Sequence, residues 1–201
     1  MPQERRHNEQ VVLVDDAGRS LGAADKASVH GADTPLHLGF SCYVFDERGA
    51  LLLTRRADDK ATFGGVWTNS FCGHPAPAEA LEDAVCRRAA DELGLRLAVV
   101  DVVLPGFRYR AEMNGVVENE LCPVVVGRLA DRPRLEPDPA EISASEWVGW
   151  PALVADVLAG RRVVSPWCAE QVPLLAALGP DPGSWPTGDR DRLPAALRAP
   201  A

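Results

Sequence analysis

Lysine is nearly absent from this 201-residue chain: of its 21 basic residues only Lys26 and Lys60 are lysines, and the rest are arginine. Histidine is scarce as well, with His7, His30, His37 and His74 forming the whole set. There is no Cys-x-x-Cys pair. Cys42, Cys72, Cys86, Cys122 and Cys168 are odd in number and widely scattered, which fits a reducing compartment better than a disulfide framework, so a cytoplasmic protein is expected. No apolar run approaches the roughly 20 residues of a membrane span. Met1-Pro2-Gln3-Glu4-Arg5-Arg6 leads into no apolar segment, so no secretory signal is expected either. A basic surplus is also missing. The net charge of -8 argues against a general nucleic-acid binder, although the local field of a pocket can still hold an anionic substrate.

What remains is ordinary for a globular protein, 46% apolar and 25% charged, and long enough for one large domain. Residues 1–10 are polar and expected to fray. Residues 11–14 read as a strand entering a turn at Asp15-Asp16-Ala17-Gly18, and 36–45 with 50–54 as a hairpin about Asp46-Glu47-Arg48-Gly49. Residues 77–93 predict a helix ended by Gly94, with Leu81, Ala84, Val85 and Ala89 as its apolar stripe and Arg88 and Glu92 along the edge. Strands are expected over 97–104, 107–111, 116–126 and 146–150, then helices over 152–159 and 169–178. From Pro180 the chain is rich in Pro, Gly and charge, so 180–201 is expected to be a poorly ordered tail beyond a single domain of 1–179. No internal repeat interrupts this order, which suggests an α/β or α+β sandwich.

Chemistry concentrates in a few stretches. Trp67-Thr68-Asn69-Ser70-Phe71-Cys72-Gly73-His74-Pro75 places a thiol and an imidazole two residues apart, between glycines and prolines, as in a site built on a loop or strand end. His30 and His37 precede the first core strand. In Val117-Glu118-Asn119-Glu120-Leu121-Cys122, alternation puts Glu118, Glu120 and Cys122 on one face, with the two carboxylates about 6.6 Å apart along the strand. These groups could be a solvated face with backbone-satisfied histidines. Like charges on one face, however, cost stability unless a cation or proton offsets them. Three histidines and two glutamates would suit a divalent metal such as Zn, Mn or Mg. Lys26, Arg55-Arg56, Lys60 and Arg88 lie near these stretches and could form an anion pocket suited to phosphates.

With these residues in view, the chain resembles the type I isopentenyl-diphosphate isomerases. The resemblance covers about residues 8–178 and rests on His30-x6-His37, on the 67–75 stretch, and on Arg108-Tyr109-Arg110 followed by Glu118-Asn119-Glu120-x-Cys122-Pro123. It implies a Nudix-like fold, a central mixed sheet between helices. Gly73, Glu79, Arg87, Asp91, Glu92, Gly94 and Leu95 keep the spacing of the Nudix hydrolase box, but Arg88 stands where a hydrolase has a magnesium-binding glutamate. The fold would be shared and the hydrolase chemistry would not.

The resemblance also implies roles. Cys72 and Glu120 would be proton-transfer groups on opposite faces of the substrate, passing through a tertiary carbocation, with Tyr109 orienting Glu120. His30, His37, His74, Glu118 and Glu120 would hold one divalent metal. Lys26, Arg56, Lys60 and Arg88 would contact the diphosphate, Glu92 would help hold a magnesium ion bound with it, and Trp167 would close over the hydrocarbon. Phe71 departs from the smaller residue expected beside the cysteine. The expected partner is a small isoprenoid diphosphate, with no nucleic acid and no membrane, the protein being a monomer or weak homodimer. The rivals are a Nudix-type diphosphate hydrolase and a metal-stabilised binding module without turnover.

Overall fold

The computed structural model describes residues 9–198, so most of the segment expected to fray, 1–8, lies outside the described residues, as do 199–201. Two short apolar runs open the fold as an antiparallel hairpin, β1 (Gln10–Val14) and β2 (Ser20–Asp25). A single turn, α1 (Lys26–Val29), follows, its start capped by the Asp25 carboxylate accepting from Ala27 N. Then come β3 (His37–Leu38), β4 (Phe40–Phe45), β5 (Ala50–Arg56), β6 (Trp67–Thr68) and β7 (Phe71–Gly73). Helix α2 (Leu81–Leu93) leads to β8 (Val99–Leu104), β9 (Arg108–Met113), β10 (Val116–Leu121), β11 (Val124–Arg128) and β12 (Ile142–Gly149). Helices α3 (Trp150–Leu158) and α4 (Pro166–Ala176) close the series. Among the described residues no helix is long and apolar enough to cross a membrane.

The strands form two mixed sheets. One runs β2-β1-β3-β10-β9. The other runs β12-β5-β4-β11-β8, with β6 paired on β5 and β7 on β4. Every residue of β4 is buried, as a central strand covered on both faces must be. Phe40, Cys42 and Val44 face the stripe of α2, while Tyr43 and Phe45 face Trp150 of α3 and Trp167, Val172 and Leu175 of α4. The expected mixed sheet between helices is therefore met by the larger of the two sheets.

Two strands that the sequence predicts as continuous, 36–45 and 116–126, are each divided between the sheets, at Gly39 and at Cys122-Pro123. They cross together: Gly39 N donates to Leu121 O at 3.0 Å and Ser41 N to Pro123 O at 3.1 Å. Pro123 has no N–H to extend the ladder of β10. Gly39 is required there, because a Cβ would fall on the Glu120 carboxylate. At this corner β3 and β10 run parallel, with His37 opposite Glu120.

Two further expectations are corrected. The helix predicted from Pro77 begins at Leu81, because Ala78 adopts a left-handed φ of 63° that no helix continues; it ends at Gly94 as expected, with φ 66°. The segment after Pro180, expected to be poorly ordered, packs along the domain through residue 198. Trp185 joins the core beside Phe45 and Trp150, and Leu193 and Leu197 join the core under α2. Ala196 N donates to Gly18 O at 2.8 Å. The physical reason is that three well-placed apolar side chains, each contributing about 1.5–3 kcal/mol on burial, outweigh a polar average composition.

Candidate active site

The corner between the sheets assembles the imidazoles and carboxylates. His37 lies in β3 directly opposite Glu120 of β10, and Tyr109 of β9 is the other cross-strand neighbour of Glu120. The loop carrying His30 is pinned to β10 by Val117 N donating to Gly31 O at 2.8 Å and Asn119 Nδ2 donating to Thr34 O at 3.2 Å. His74 arrives from the end of β7. The three ring centroids lie 5.1, 5.3 and 5.9 Å apart. His74 Nε2 is 3.0 Å and His37 Nε2 3.5 Å from Glu120 Oε1, and His30 Nε2 is 3.1 Å from Glu118 Oε2.

These contacts do not satisfy the cluster. His37 Nδ1 lies 2.9 Å from the Pro35 carbonyl, which can only accept, so Nδ1 carries the proton and Nε2 presents a lone pair. His30 Nε2, His37 Nε2, His74 Nδ1 and Glu118 Oε2 are all buried without a hydrogen-bond partner, the close His30–Glu118 approach being off the line such a bond needs. Four orphaned polar atoms in one spot are what a divalent cation would satisfy. The imidazole and carboxylate donor set fits Zn, Mn or Mg. Burial pushes His74 down to about 4, so that it stays neutral, as a ligand must be, despite Glu120 beside it. Burial opposes the charge of Glu120 as well, but the close approach of His37 and the hydrogen bond with His74 outweigh it and hold the carboxyl well below the usual range.

A second group surrounds the same space. Lys26 pairs with Glu9 at 2.6 Å, and Lys60 with Glu141. Arg88, buried on α2, donates through Nε to Glu92 at 2.8 Å and also meets Glu9 and Glu141. Burial lifts the Glu92 carboxyl, Arg88 pulls it back and Glu141 lifts it again, for a net rise. Arg56 donates to the Thr62 carbonyl at 3.0 Å and lies 5.8 Å from the Trp167 ring centroid.

The third group is the thiol. Cys72 sits on β7 beside Asn69, whose Oδ1 accepts from Trp167 Nε1 at 3.0 Å and from Cys72 Sγ at 3.4 Å. Burial, outweighing the contacts with Ser41 and Asn69 and the nearby Arg56, pushes the thiol up to about 11. Tyr109 and Trp167 lie 5.3 Å apart, centroid to centroid, as an aromatic wall.

One cavity of about 440 Å³ joins the three groups. Cys72, Glu120, Tyr109, His30, His74, Glu118, Glu92, Lys26, Arg56, Lys60, Arg88 and Trp167 all line it, while His37 is fully buried behind. Phe71, the departure noted beside the cysteine, packs edge-on against Phe40 in the core under α2. Glu9 and Glu141 line the cavity too and were not foreseen. Glu9 lies in a polar segment expected to fray, and Glu141 follows Glu136-Pro137-Asp138-Pro139-Ala140, a stretch assigned to no expected element. Only a pairing rule for scarce lysines could have pointed to them.

A NUDIX domain model matches residues 35–168. Isopentenyl-diphosphate Delta-isomerase of Saccharopolyspora erythraea is 54% identical over 187 residues, covering 92% of this chain and 95% of the relative. Its namesake from Mycolicibacterium vanbaalenii is 56% identical over 172 residues, covering 85% and 93%. The chain belongs to the isopentenyl-diphosphate Delta-isomerase family. Among solved structures, DR0079 from Deinococcus radiodurans superposes with a TM-score of 0.63 at 19% identity, covering 83% of this chain and 98% of that one, a likeness of fold alone. Two residues of the Nudix box are held by carboxylates. Arg87 holds Glu79 through two 2.7 Å hydrogen bonds that brace the loop before α2. Arg88, where a hydrolase carries a glutamate, is a buried cation facing the cavity.

Proposed function

We propose that this protein interconverts isopentenyl and dimethylallyl diphosphates by proton transfer, with Cys72 and Glu120 acting on opposite faces of the substrate. The observation that carries the reading is the convergence on one cavity of a thiol, a buried carboxylate, an aromatic wall and a set of cations. Moving the double bond of an unactivated alkene needs an acid at one carbon and a base near another. In the resting protein burial keeps Cys72 as a thiol, while Glu120 is ionised. The tertiary cation between the two proton transfers is stabilised by an aromatic face, which Trp167 and Tyr109 supply. It is shielded from capture by water because both rings are buried.

The diphosphate does not react; it positions the small hydrocarbon. Lys26, Arg56, Lys60 and Arg88 are its proposed contacts; to meet it Lys26, Lys60 and Arg88 exchange carboxylate partners, and Arg56 the Thr62 carbonyl, for phosphate oxygens. Four cations face five carboxylates in the cavity lining, so an anionic substrate is admitted only with added positive charge. His30, His37, His74, Glu118 and Glu120 would hold one divalent ion, and Glu92 a magnesium ion accompanying the diphosphate. Such ions supply charge neutralisation and fix the carboxylates they bind. The five cysteines, all unpaired in the structure, support a cytoplasmic setting.

The hydrolase alternative shares the fold but lacks the box glutamate at Arg88. The two are separated by incubating the metal-loaded protein with isopentenyl diphosphate and following dimethylallyl diphosphate by NMR alongside free phosphate. Isomer without phosphate release supports the proposal, and phosphate release without isomer overturns it.

A further inference from the structure

Behind the Cys72 thiol runs a chain of buried polar side chains with no part in the reaction as drawn above. Ser41 of β4 and Cys72 of β7 are directly opposite in register, so their side chains stand next to each other. Ser41 Oγ lies 3.6 Å from Cys72 Sγ and 3.4 Å from Cys122 Sγ. Gln171 of α4 donates through Nε2 to Ser41 Oγ at 2.9 Å. Its Oε1 accepts from the Tyr43 hydroxyl, also at 2.9 Å. With Gln171 donating to it, Ser41 has one proton left for two flanking sulfurs, Cys72 and the nearer Cys122. Ser41, Tyr43 and Gln171 are each 0% exposed. Burying a hydroxyl, a phenol and a carboxamide in an otherwise apolar core is costly unless every member is bonded, and apolar side chains would pack there without that risk. On the other side of the sulfur, Asn69 Oδ1 is the acceptor at 3.4 Å, its amide fixed by Nδ2 donating to the Cys42 and Phe71 carbonyls at 3.0 and 2.7 Å.

We infer that Ser41, held by Gln171 and Tyr43, is a positioning residue that aims the Cys72 sulfur for proton transfer. This rests on the reading of Cys72 as a proton-transfer group. The S–H donates to Asn69 at 3.4 Å, and the Ser41 hydroxyl lies 3.6 Å from the sulfur on the other side, so the sulfur has a polar neighbour on each side. When Sγ delivers its proton to a substrate carbon, the S–H electron pair stays on sulfur, facing the Ser41 hydroxyl. When Sγ takes a proton from a substrate C–H, the C–H pair becomes the new C=C bond and the thiol is restored. Without Ser41 the sulfur keeps one partner, and a misplacement of about 1 Å at a reacting group costs roughly 100-fold in rate.

The test compares Ser41→Ala, Gln171→Met, Tyr43→Phe and Cys72→Ala in the full, metal-loaded chain, reading kcat, KM, melting temperature and bound metal. Ser41→Ala is expected to lower kcat roughly 10- to 100-fold, with KM within about 2-fold and with metal content and melting temperature near the parent's. Gln171→Met and Tyr43→Phe, which leave Ser41 in place but unheld, are expected to lower kcat by successively smaller factors. Parental kcat in Ser41→Ala, with Cys72→Ala inactive, overturns the role of Ser41 and leaves that of Cys72 standing. An active Cys72→Ala overturns both. A fall in kcat accompanied by rising KM and lost metal marks a structural role and also overturns the inference. Should Ser41→Ala fail to fold, the two outer variants decide: a lower kcat at constant KM supports it, and parental kcat in both refutes it.

Discussion

Arg88 and Cys72 show how burial and charge select the chemistry at single positions. A buried thiol pushed up to about 11 keeps its proton until a substrate is present, which suits one half of a two-group proton transfer. Cys72→Ser keeps the size and the hydrogen bonds but has a far weaker acid. It is expected to lower kcat by about 100- to 10,000-fold with bound metal unchanged; near-parental turnover with the same metal content would reduce Cys72 to packing. Arg88→Glu replaces a proposed diphosphate contact by a like charge. A lost charge-assisted contact is worth about 1.5–3 kcal/mol, so KM for isopentenyl diphosphate should rise by at least about 10-fold in a folded protein. An unchanged KM, or hydrolysis appearing in the variant, would show that α2 faces a different ligand.

At the scale of elements, the corner where two strand pairs change sheets carries the site. Gly39→Ala places a methyl on the Glu120 carboxylate. It is expected to lower bound metal and activity together, measured by elemental analysis and turnover on the same preparation; full metal content would mean the corner tolerates the shift. The C-terminal segment is a separate matter of stability. Trp185→Ala removes a side chain packed edge-on against Phe45, Trp150 and the surrounding core, and should cost about 3–5 kcal/mol in urea unfolding while leaving KM unchanged.

Much of this was legible in the sequence where a local rule applied. The stripe of α2 and its Gly94 end, and the alternation of Glu118 and Glu120, follow from periodicity and turn chemistry. What was not legible depended on distant partners. The breaks at Gly39 and Pro123 look like ordinary strand positions until the two strands cross side by side. Glu9 and Glu141 are unremarkable acids until Lys26, Lys60 and Arg88 reach them. Trp185, Leu193 and Leu197 are three apolar residues in a segment with no period at all.

For the molecule as a whole, the site and the fold share their electrostatics. In the metal-free protein His74 stays neutral to about 4, whereas in the unfolded chain it charges near 6.5, so the unfolded state binds the proton first. Stability from this group is present above about 6.5 and is lost as pH falls toward 4, by at most about 3 kcal/mol. Glu141, held down to about 2 because Lys60 and Arg88 outweigh its burial, adds a loss on the more acidic side, below the ordinary carboxylate range. His37 is shifted upward, with the nearby Glu120 carboxylate and the Pro35 carbonyl outweighing burial, and offsets part of the His74 loss. Urea midpoints of chelated protein from pH 7 to pH 4 should therefore fall, and a flat profile would contradict the buried, neutral state of His74.

The central claim, that two groups on opposite faces move protons to and from an isoprenoid diphosphate, is tested most directly in deuterated water. The metal-loaded protein is incubated with isopentenyl diphosphate, and the product is examined by NMR and mass spectrometry. Two-group transfer predicts dimethylallyl diphosphate carrying deuterium from solvent, because the group that delivers a proton exchanges with solvent before each turnover. Dimethylallyl diphosphate formed without solvent deuterium, or no isomer at all, would contradict it.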